Sequence, residues 1–502
     1  MEAAVDLLDS ALERQERILI YGDYDADGIT AVALLLRTLR PLNNGNILYY
    51  LPKRLTEGYG LHQEALAKAV KHGCRLVITV DCGITAVTEA TYLAQQGVGL
   101  IVTDHHEPGA QLPSAAAIIN PKLSPAYPDP HLAGVGVAFK LLQGLTERRP
   151  ELETGLWENI DLVSLGTIAD VVPLLGENRV LVKEGLHQMA DTKNIGLRAL
   201  LDQAGLTGKK PNAGHVSYIL APRLNAVGRL HDPAQALRLL LEENPERARK
   251  LAAWLETVNQ KRQRVEGQVW QEAERAIAAS GPVGKVIVLA GAWHPGVIGI
   301  VASKLTEKYY RPTVLLSLEG ENARGSGRSI SGFNLFRALA ECADCLTKYG
   351  GHEFAAGLEL EKNRLEEFKA AITAVAEARL SSELLTPALE VEEVIPVEAV
   401  TKELLADLAR LEPFGEGNPE PVLACRGLDL LACYGVGKEA KHLKLKVAGG
   451  PVTCEAIGFN FGTLMPELAG VKQVDLAFNL EKNEWNNQLQ LVLKDLQLPE
   501  VS

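Results

Sequence analysis

The first 120 residues alternate two patterns. Apolar β-type runs at ILIY (18–21), NILYYL (46–51), RLVITV (75–80) and VGLIVT (98–103) are separated by stretches of helical spacing such as AVALLLRTLR and EALAKAV. Strand and helix in alternation confine this region to a parallel sheet with helices on both faces. In an open sheet of that kind ligands bind beyond the carboxyl ends of the strands, where loops from neighbouring strands converge. Three of the runs end in metal-type ligands. ILIY leads into GDYDADGIT with Asp23, Asp25 and Asp27, RLVITV into Asp81, and VGLIVT into Asp104, His105 and His106. Asp170 in LGTIADVVPL adds an acid carried by a predicted helix into an apolar turn.

The spacing of the first three aspartates resembles a calcium loop, and counting excludes one. A loop with Asp23 at position 1 needs glutamate at position 12, which here is Leu34, and a helix in front, where ILIY reads as a strand. A lone strand-end aspartate is commonly a helix N-cap, and a lone histidine is more often a surface or packing residue. Neither explains several acids and adjacent histidines at one sheet edge, where unneutralised carboxylates would repel and cations should sit among them. Carboxylate and imidazole ligands without cysteine favour manganese or magnesium over zinc. Two such ions about 3.5–4 Å apart suit phosphodiester hydrolysis.

At 502 residues the chain is expected to hold two to four domains. Residues 155–240 read as mostly helical, and the run from Glu243 to Ser280 reads as one long connecting helix with Pro245 in its first turn. A second α/β segment follows, with a helix from about 296 to 308 and the glycine-rich GENARGSGRSISG. After about residue 385, short strands at roughly ten-residue spacing point to a small barrel or sandwich. The net charge of −12 gives no global pull toward nucleic acid, so any such site must be local. The scattered cysteines read as free thiols, with Cys342 and Cys345 as buried small residues rather than a metal or redox pair. No run spans a bilayer and the first residues form an acidic amphipathic stretch, so a cytoplasmic protein is expected.

Local cationic sites do occur. Arg324, Ser326 and Arg328 in ARGSGRS would share one face of a strand as a phosphate cradle. In KHLKLKV, His442, Lys444 and Lys446 alternate with Leu443, Leu445 and Val447, which fits a half-buried strand with a basic outer face in an OB-fold that binds single strands.

In their order along the chain, GDYDADG, VDCGIT, TDHH and ADVVPL resemble the DHH phosphoesterases. PRLNAVGR, WHPGVIGIVASKL, GSGRS, GGHEFAAG and PFGEGNPEP narrow the resemblance to the RecJ exonucleases. The resemblance implies a parallel-sheet DHH domain (1–235), a connecting helix (236–280), a second α/β, DHH-associated domain (281–385) and a C-terminal OB-fold barrel (386–502). It also implies digestion of single-stranded DNA from the 5′ end to 5′-mononucleotides with two ions, Mn²⁺ or Mg²⁺. The metal set carries over to Asp23, Asp25, Asp27, Asp81, His105 and Asp170, with Asp81 bridging and His106 facing the scissile phosphate. Smaller DHH enzymes place a metal-binding histidine four residues before Asp25, where this chain has Tyr21.

By the same resemblance, Arg54, Ser326 and Arg328 hold the 5′-terminal phosphate. Arg223, Asn225, Arg229, His294 and His352 are further substrate contacts. Implied partners are single-stranded DNA, a single-strand-binding protein and a RecQ-type helicase, for a monomer acting in repair and recombination. Two rivals are a non-catalytic DNA-binding relative, which should have lost several of the ligands retained here, and a DHH phosphodiesterase for short oligonucleotides or cyclic dinucleotides, which typically lacks the barrel.

Overall fold

Strands β1 (Arg17–Tyr21), β2 (Ile47–Tyr50), β3 (Cys74–Val80), β4 (Gly99–Thr103) and β5 (Ala117–Ile119) form a parallel sheet in the order β2-β1-β3-β4-β5. The computed structural model describes residues 1–483 and 486–498. Because β1 lies between β2 and β3, the chain leaves β1 to one side and later returns on the other, which makes the β1/β3 edge a topological switch point. Alternate residues serve opposite faces. Ile18 and Ile20 pack into one core, Leu19 and Tyr21 into the other. On the first face lies the helix Ala26–Leu39, buried along its whole length except at Arg37. Its sequence ADGITAVALLLRTL is apolar on every side, as a central helix requires. It packs against the helices Gly134–Thr146 and Ile160–Ala169, and the second of these ends at Asp170.

The long helix runs from Pro245 to Ala279, about 50 Å at 1.5 Å per residue. The Asn244 side chain caps it by accepting the N–H groups of Glu246 and Arg247, and Pro245 occupies the first turn, where its missing N–H costs nothing. It leads to a mixed sheet in the order β6-β7-β8-β10-β9, built from Ile287–Gly291, Thr313–Glu319, Asn322–Arg328, Ala355–Glu361 and Lys348–Gly351 respectively. The helix Pro295–Tyr309 packs on β7 and β8. Cys342 and Cys345 are buried in the core on the opposite face, as expected for small apolar residues. Both sheets belong to one unit, Met1–Pro387.

The second unit, Ala388–Ser502, holds β11 (Glu393–Val394), β12 (Leu423–Val436), β13 (His442–Gly449), β14 (Val452–Gly458), β15 (Gln473–Lys482) and β16 (Leu489–Gln497). Register shifts between Cys425 and Leu428 and between Leu430 and Ala432 let β12 pair with β15 at one end and β13 at the other, which closes the barrel. Leu443, Leu445 and Val447 fill its core. No described helix is long and apolar enough to cross a membrane.

Candidate metal centre and anion pocket

Each ligand is placed by a backbone feature at the carboxyl edge of the first sheet. Asp25 caps the central helix, its Oδ1 accepting the N–H groups of Asp27 at 3.0 Å and Gly28 at 3.2 Å. Gly28 lets the helix start close under Asp23, since a Cβ there would lie 2.7 Å from the Asp23 nitrogen. Asp27 is held from the far side by the N-terminus of the helix Gly134–Thr146, accepting from Gly134 N–H at 2.6 Å and Val135 N–H at 2.8 Å. Asp81 follows β3 in the left-handed region, at φ 60°, a conformation that aspartate and asparagine tolerate better than most residues and one that recurs at functional sites.

These side chains converge. Among the described residues, three groups have ligand atoms lying within 4.8 Å of one another: Asp23, Asp25 and Asp81; Asp27, His105 and Asp170; and Asp81, His105 and His106. His105 Nε2 is 3.1 Å from Asp81 Oδ1, 3.5 Å from Asp170 Oδ2 and 4.0 Å from Asp27 Oδ2. Asp23 Oδ1 is buried without a hydrogen-bond partner, and Asp81 Oδ1 and His105 Nε2, although 3.1 Å apart, are buried without a well-aligned hydrogen bond. Buried polar atoms ordinarily find partners, so this donor set fits divalent cations. Electrostatics agree. Burial, followed by neighbouring carboxylates, pushes Asp23, Asp81 and Asp170 well above the usual carboxylate range and Asp27 up to about 7. Burial, then the adjacent His106, holds His105 down at about 3, a neutral imidazole suited to metal ligation.

His106 is built differently. Its Nδ1 lies 2.8 Å from Asp104 Oδ1 and 3.0 Å from the Tyr59 hydroxyl. Asp104 is itself fixed, its Oδ2 accepting Ile84 N–H at 2.9 Å. Although burial alone would lower the His106 pKa, the bond to Asp104 raises it. The Asp104 carboxyl is held low by the same bond, against the effect of its own burial. With Nδ1 engaged, Nε2 is the nitrogen left to face a substrate. Tyr21, at the position of the metal-binding histidine of smaller relatives, uses its hydroxyl elsewhere, donating to Gly60 C=O at 3.1 Å and accepting from His62 N–H at 3.2 Å.

Three arginines from other elements act on Arg229 beside this centre. Arg229 is half-buried, and burial, then the charges of Arg54, Arg262 and Arg328, lower its guanidinium to about 9. Burial and Arg54 likewise lower Arg328. Arg328 donates to Ser303 Oγ at 3.1 Å and Ser326 Oγ at 3.2 Å, above Gly299 of the helix Pro295–Tyr309. Like charges brought together under burial mark an anion site.

Family models match along the chain: the DHH family, N-terminal domain at 17–167, the DHHA1 domain at 284–378 and the RecJ OB domain at 391–495. The single-stranded-DNA-specific exonuclease RecJ of Salmonella typhimurium is 38% identical over 99% of this chain and 90% of its own length. The chain belongs to the RecJ family. It is 39% identical over its whole length to RecJ of Bacillus subtilis, of which it spans 64%. The structure of RecJ from Thermus thermophilus in complex with Mn²⁺ superposes with a TM-score of 0.86 at 35% identity, over 99% of this chain and 71% of that one.

Against the RecJ pattern, the remaining expected substrate contacts divide. His352, on the turn after β9, is exposed and donates its N–H to Ala355 C=O at 2.8 Å, and burial followed by the charge of His106 lowers its imidazole. Asn225 accepts Ala26 N–H at 2.8 Å and steadies the aspartate loop. Arg223 is tied to Glu256 at 2.6 Å and to Ile219 C=O. His294 caps its helix, accepting Gly296 N–H at 3.0 Å. Arg324 shares the strand face of Ser326 and Arg328, but the register places Glu359 opposite and the two pair at 3.1 Å, so the cradle contracts to Ser326 and Arg328. In the barrel unit, Lys444 pairs with Glu455 at 3.0 Å and His442 accepts Asn460 N–H at 3.0 Å, while Lys446 is exposed.

Sequence reasoning missed Tyr59, Arg262 and the Asp27-binding turn at Gly134. Arg262 sits on the long helix, where arginine usually means a solvated charge. Its burial, with Asn259 and Glu266 as partners, follows only from packing.

Proposed function

We propose that this chain is an exonuclease that hydrolyses single-stranded DNA from the 5′ end to 5′-mononucleotides, using two divalent ions, Mn²⁺ or Mg²⁺. The observation that carries the reading is that Asp81 and His105 each belong to more than one ligand group at the sheet's switch point, with the arginine cluster beside them. Asp23, Asp25 and Asp81 would hold one ion, and Asp27, His105 and Asp170 the other, with Asp81 between. When bound, such a pair supplies an activated water and stabilises the charge of an in-line displacement. His106, locked through Nδ1 by Asp104, directs Nε2 and its proton at a scissile phosphate oxygen. Arg54, Ser326 and Arg328, with Arg229, receive the terminal 5′-phosphate.

Water adds to phosphorus, the 3′ oxygen leaves with the released nucleotide, and the shortened strand carries a new 5′-phosphate suited to the same pocket. This is why an anion pocket next to the metal centre supports stepwise digestion from the 5′ end.

Residues 1–235 then carry the metals with Arg54 and Arg229, 236–280 the connecting segment, whose long helix is Pro245–Ala279, 281–385 the phosphate contacts Ser326 and Arg328, and the barrel at 386–502 a single-strand surface that includes Lys446. The reading extends to a cytoplasmic monomer in DNA repair and recombination, working beside a single-strand-binding protein and a RecQ-type helicase. The test is digestion of 5′- and 3′-labelled single strands with Mn²⁺ or EDTA, beside Asp81→Ala. Mononucleotide release from the 5′ label, abolished by EDTA and by the substitution, is expected. Release from the 3′ end, or activity surviving EDTA, would overturn it.

A further inference from the structure

The loop after β2 carries two side chains with different neighbours. Arg54 belongs to the arginine cluster and lies 5.1 Å over the Tyr24 ring. Five residues later, the Tyr59 hydroxyl is 3.0 Å from His106 Nδ1 and donates to Asp81 C=O at 3.3 Å. On the exonuclease reading above, on which this inference rests, Arg54 meets the terminal phosphate and His106 the scissile one. One nucleotide lies between those two phosphates, and the loop runs along it.

The loop's construction singles out Tyr59. Before it, Lys53 C=O accepts the N–H groups of Thr56, Glu57 and Gly58, and Glu57 accepts Lys53 N–H at 2.7 Å, so that half is stapled. After it, the Tyr21 hydroxyl pins Gly60 and His62. Tyr59 stands between Gly58 at φ 84° and Gly60 at φ 98°, and beyond the adjacent residues nothing lies within 4 Å of where a Cβ would sit on either. These conformations favour glycine, so the ring of Tyr59 is the one side chain this stretch of the loop presents. The residue is 44% exposed although its hydroxyl is engaged, and its ring centroid is 5.2 Å from that of His106. An aromatic face held at a phosphodiester centre by its polar tip is a stacking surface, one that accepts any base.

We infer that Tyr59 stacks on the base of the 5′-terminal nucleotide and, through its hydroxyl, positions His106 for the phosphate that follows. The test is steady-state digestion in Mn²⁺ of 5′-phosphorylated single strands whose terminal nucleotide is either normal or abasic, by wild type, Tyr59→Phe and Tyr59→Ala. The abasic end should raise KM roughly five- to a hundredfold for wild type and Tyr59→Phe, and leave KM unchanged for Tyr59→Ala. Tyr59→Phe should lower kcat with KM preserved, and the Mn²⁺-induced rise in melting temperature should persist in both variants. An abasic penalty equal in wild type and Tyr59→Ala would overturn the stacking, and a wild-type kcat in Tyr59→Phe the positioning. Loss of the Mn²⁺ response would make Tyr59 a support for Asp81 instead. Failure of wild type to digest either strand would overturn the exonuclease reading itself.

Discussion

Asp104 Oδ1 lies 2.8 Å from His106 Nδ1 and also accepts the backbone N–H groups of His105 at 2.8 Å and His106 at 3.1 Å. One carboxylate outside the three ligand groups therefore sets both histidines, favouring the doubly protonated imidazolium of His106, with a proton on Nε2, and fixing the backbone direction of His105. Asp104→Asn keeps an acceptor but loses the charge that holds the imidazole. The expected outcome is a kcat lower by about 10–100-fold, the usual cost of losing a supporting partner, with Mn²⁺ binding retained by calorimetry.

Asp81 is costly to the metal-free fold, since its carboxylate is buried, faces other acids and has an oxygen without a well-aligned hydrogen bond. Asp81→Asn tolerates the left-handed backbone and removes the charge. The metal-free variant should melt above metal-free wild type in a thermal scan, respond little to Mn²⁺, and digest single strands at least about a hundredfold more slowly.

The response to Mn²⁺ should also depend on pH, with a sign set by Asp27. Its folded pKa, raised to about 7 by burial and then by Asp25, means the empty centre binds more protons than the unfolded chain between about pH 4 and pH 7. That contribution to metal-free stability is fully present below about pH 4 and is lost as pH rises through 7. Cations bind the ionised carboxylate, so the Mn²⁺-induced rise in melting temperature should grow from about pH 6 to about pH 8. A rise that shrinks over that interval would contradict the assignment.

Arg328 makes contacts from the second sheet, and Arg54 approaches it from the first. Arg328→Ala should lower kcat/KM on 5′-phosphorylated strands by about 10–100-fold, the scale of one or two charge-assisted hydrogen bonds. Strands ending in a 5′-hydroxyl should be nearly unaffected, so the ratio between the two substrates is the measurement that checks it.

The metal ligands were legible in the sequence because strand ends in a parallel sheet share one edge, and the strands before Asp23, Asp81 and Asp104 are short apolar runs. Asp170 was legible only as an acid in an apolar turn, and its approach to His105 depends on how the central helix packs. Arg324 shows the limit of face-sharing arguments. Its periodicity matched Ser326, but which residue stands opposite on β10 is a matter of register that one strand's sequence does not contain. Lys444 also pairs with an acid on β14, Glu455, but diagonally, since the register sets Glu455 opposite Lys446 and Ile457 opposite Lys444. Tyr59 left no periodic signal, since it lies in a glycine loop whose neighbours come from two later strands.

The claim on which the rest depends is that one carboxylate, Asp81, is shared by two ions. Anomalous scattering from crystals soaked in Mn²⁺ tests it directly. The prediction is two peaks, one among Asp23, Asp25 and Asp81 and one among Asp27, His105 and Asp170, with Asp81 touching both. A single peak, or two peaks without Asp81 between them, would contradict the two-ion account.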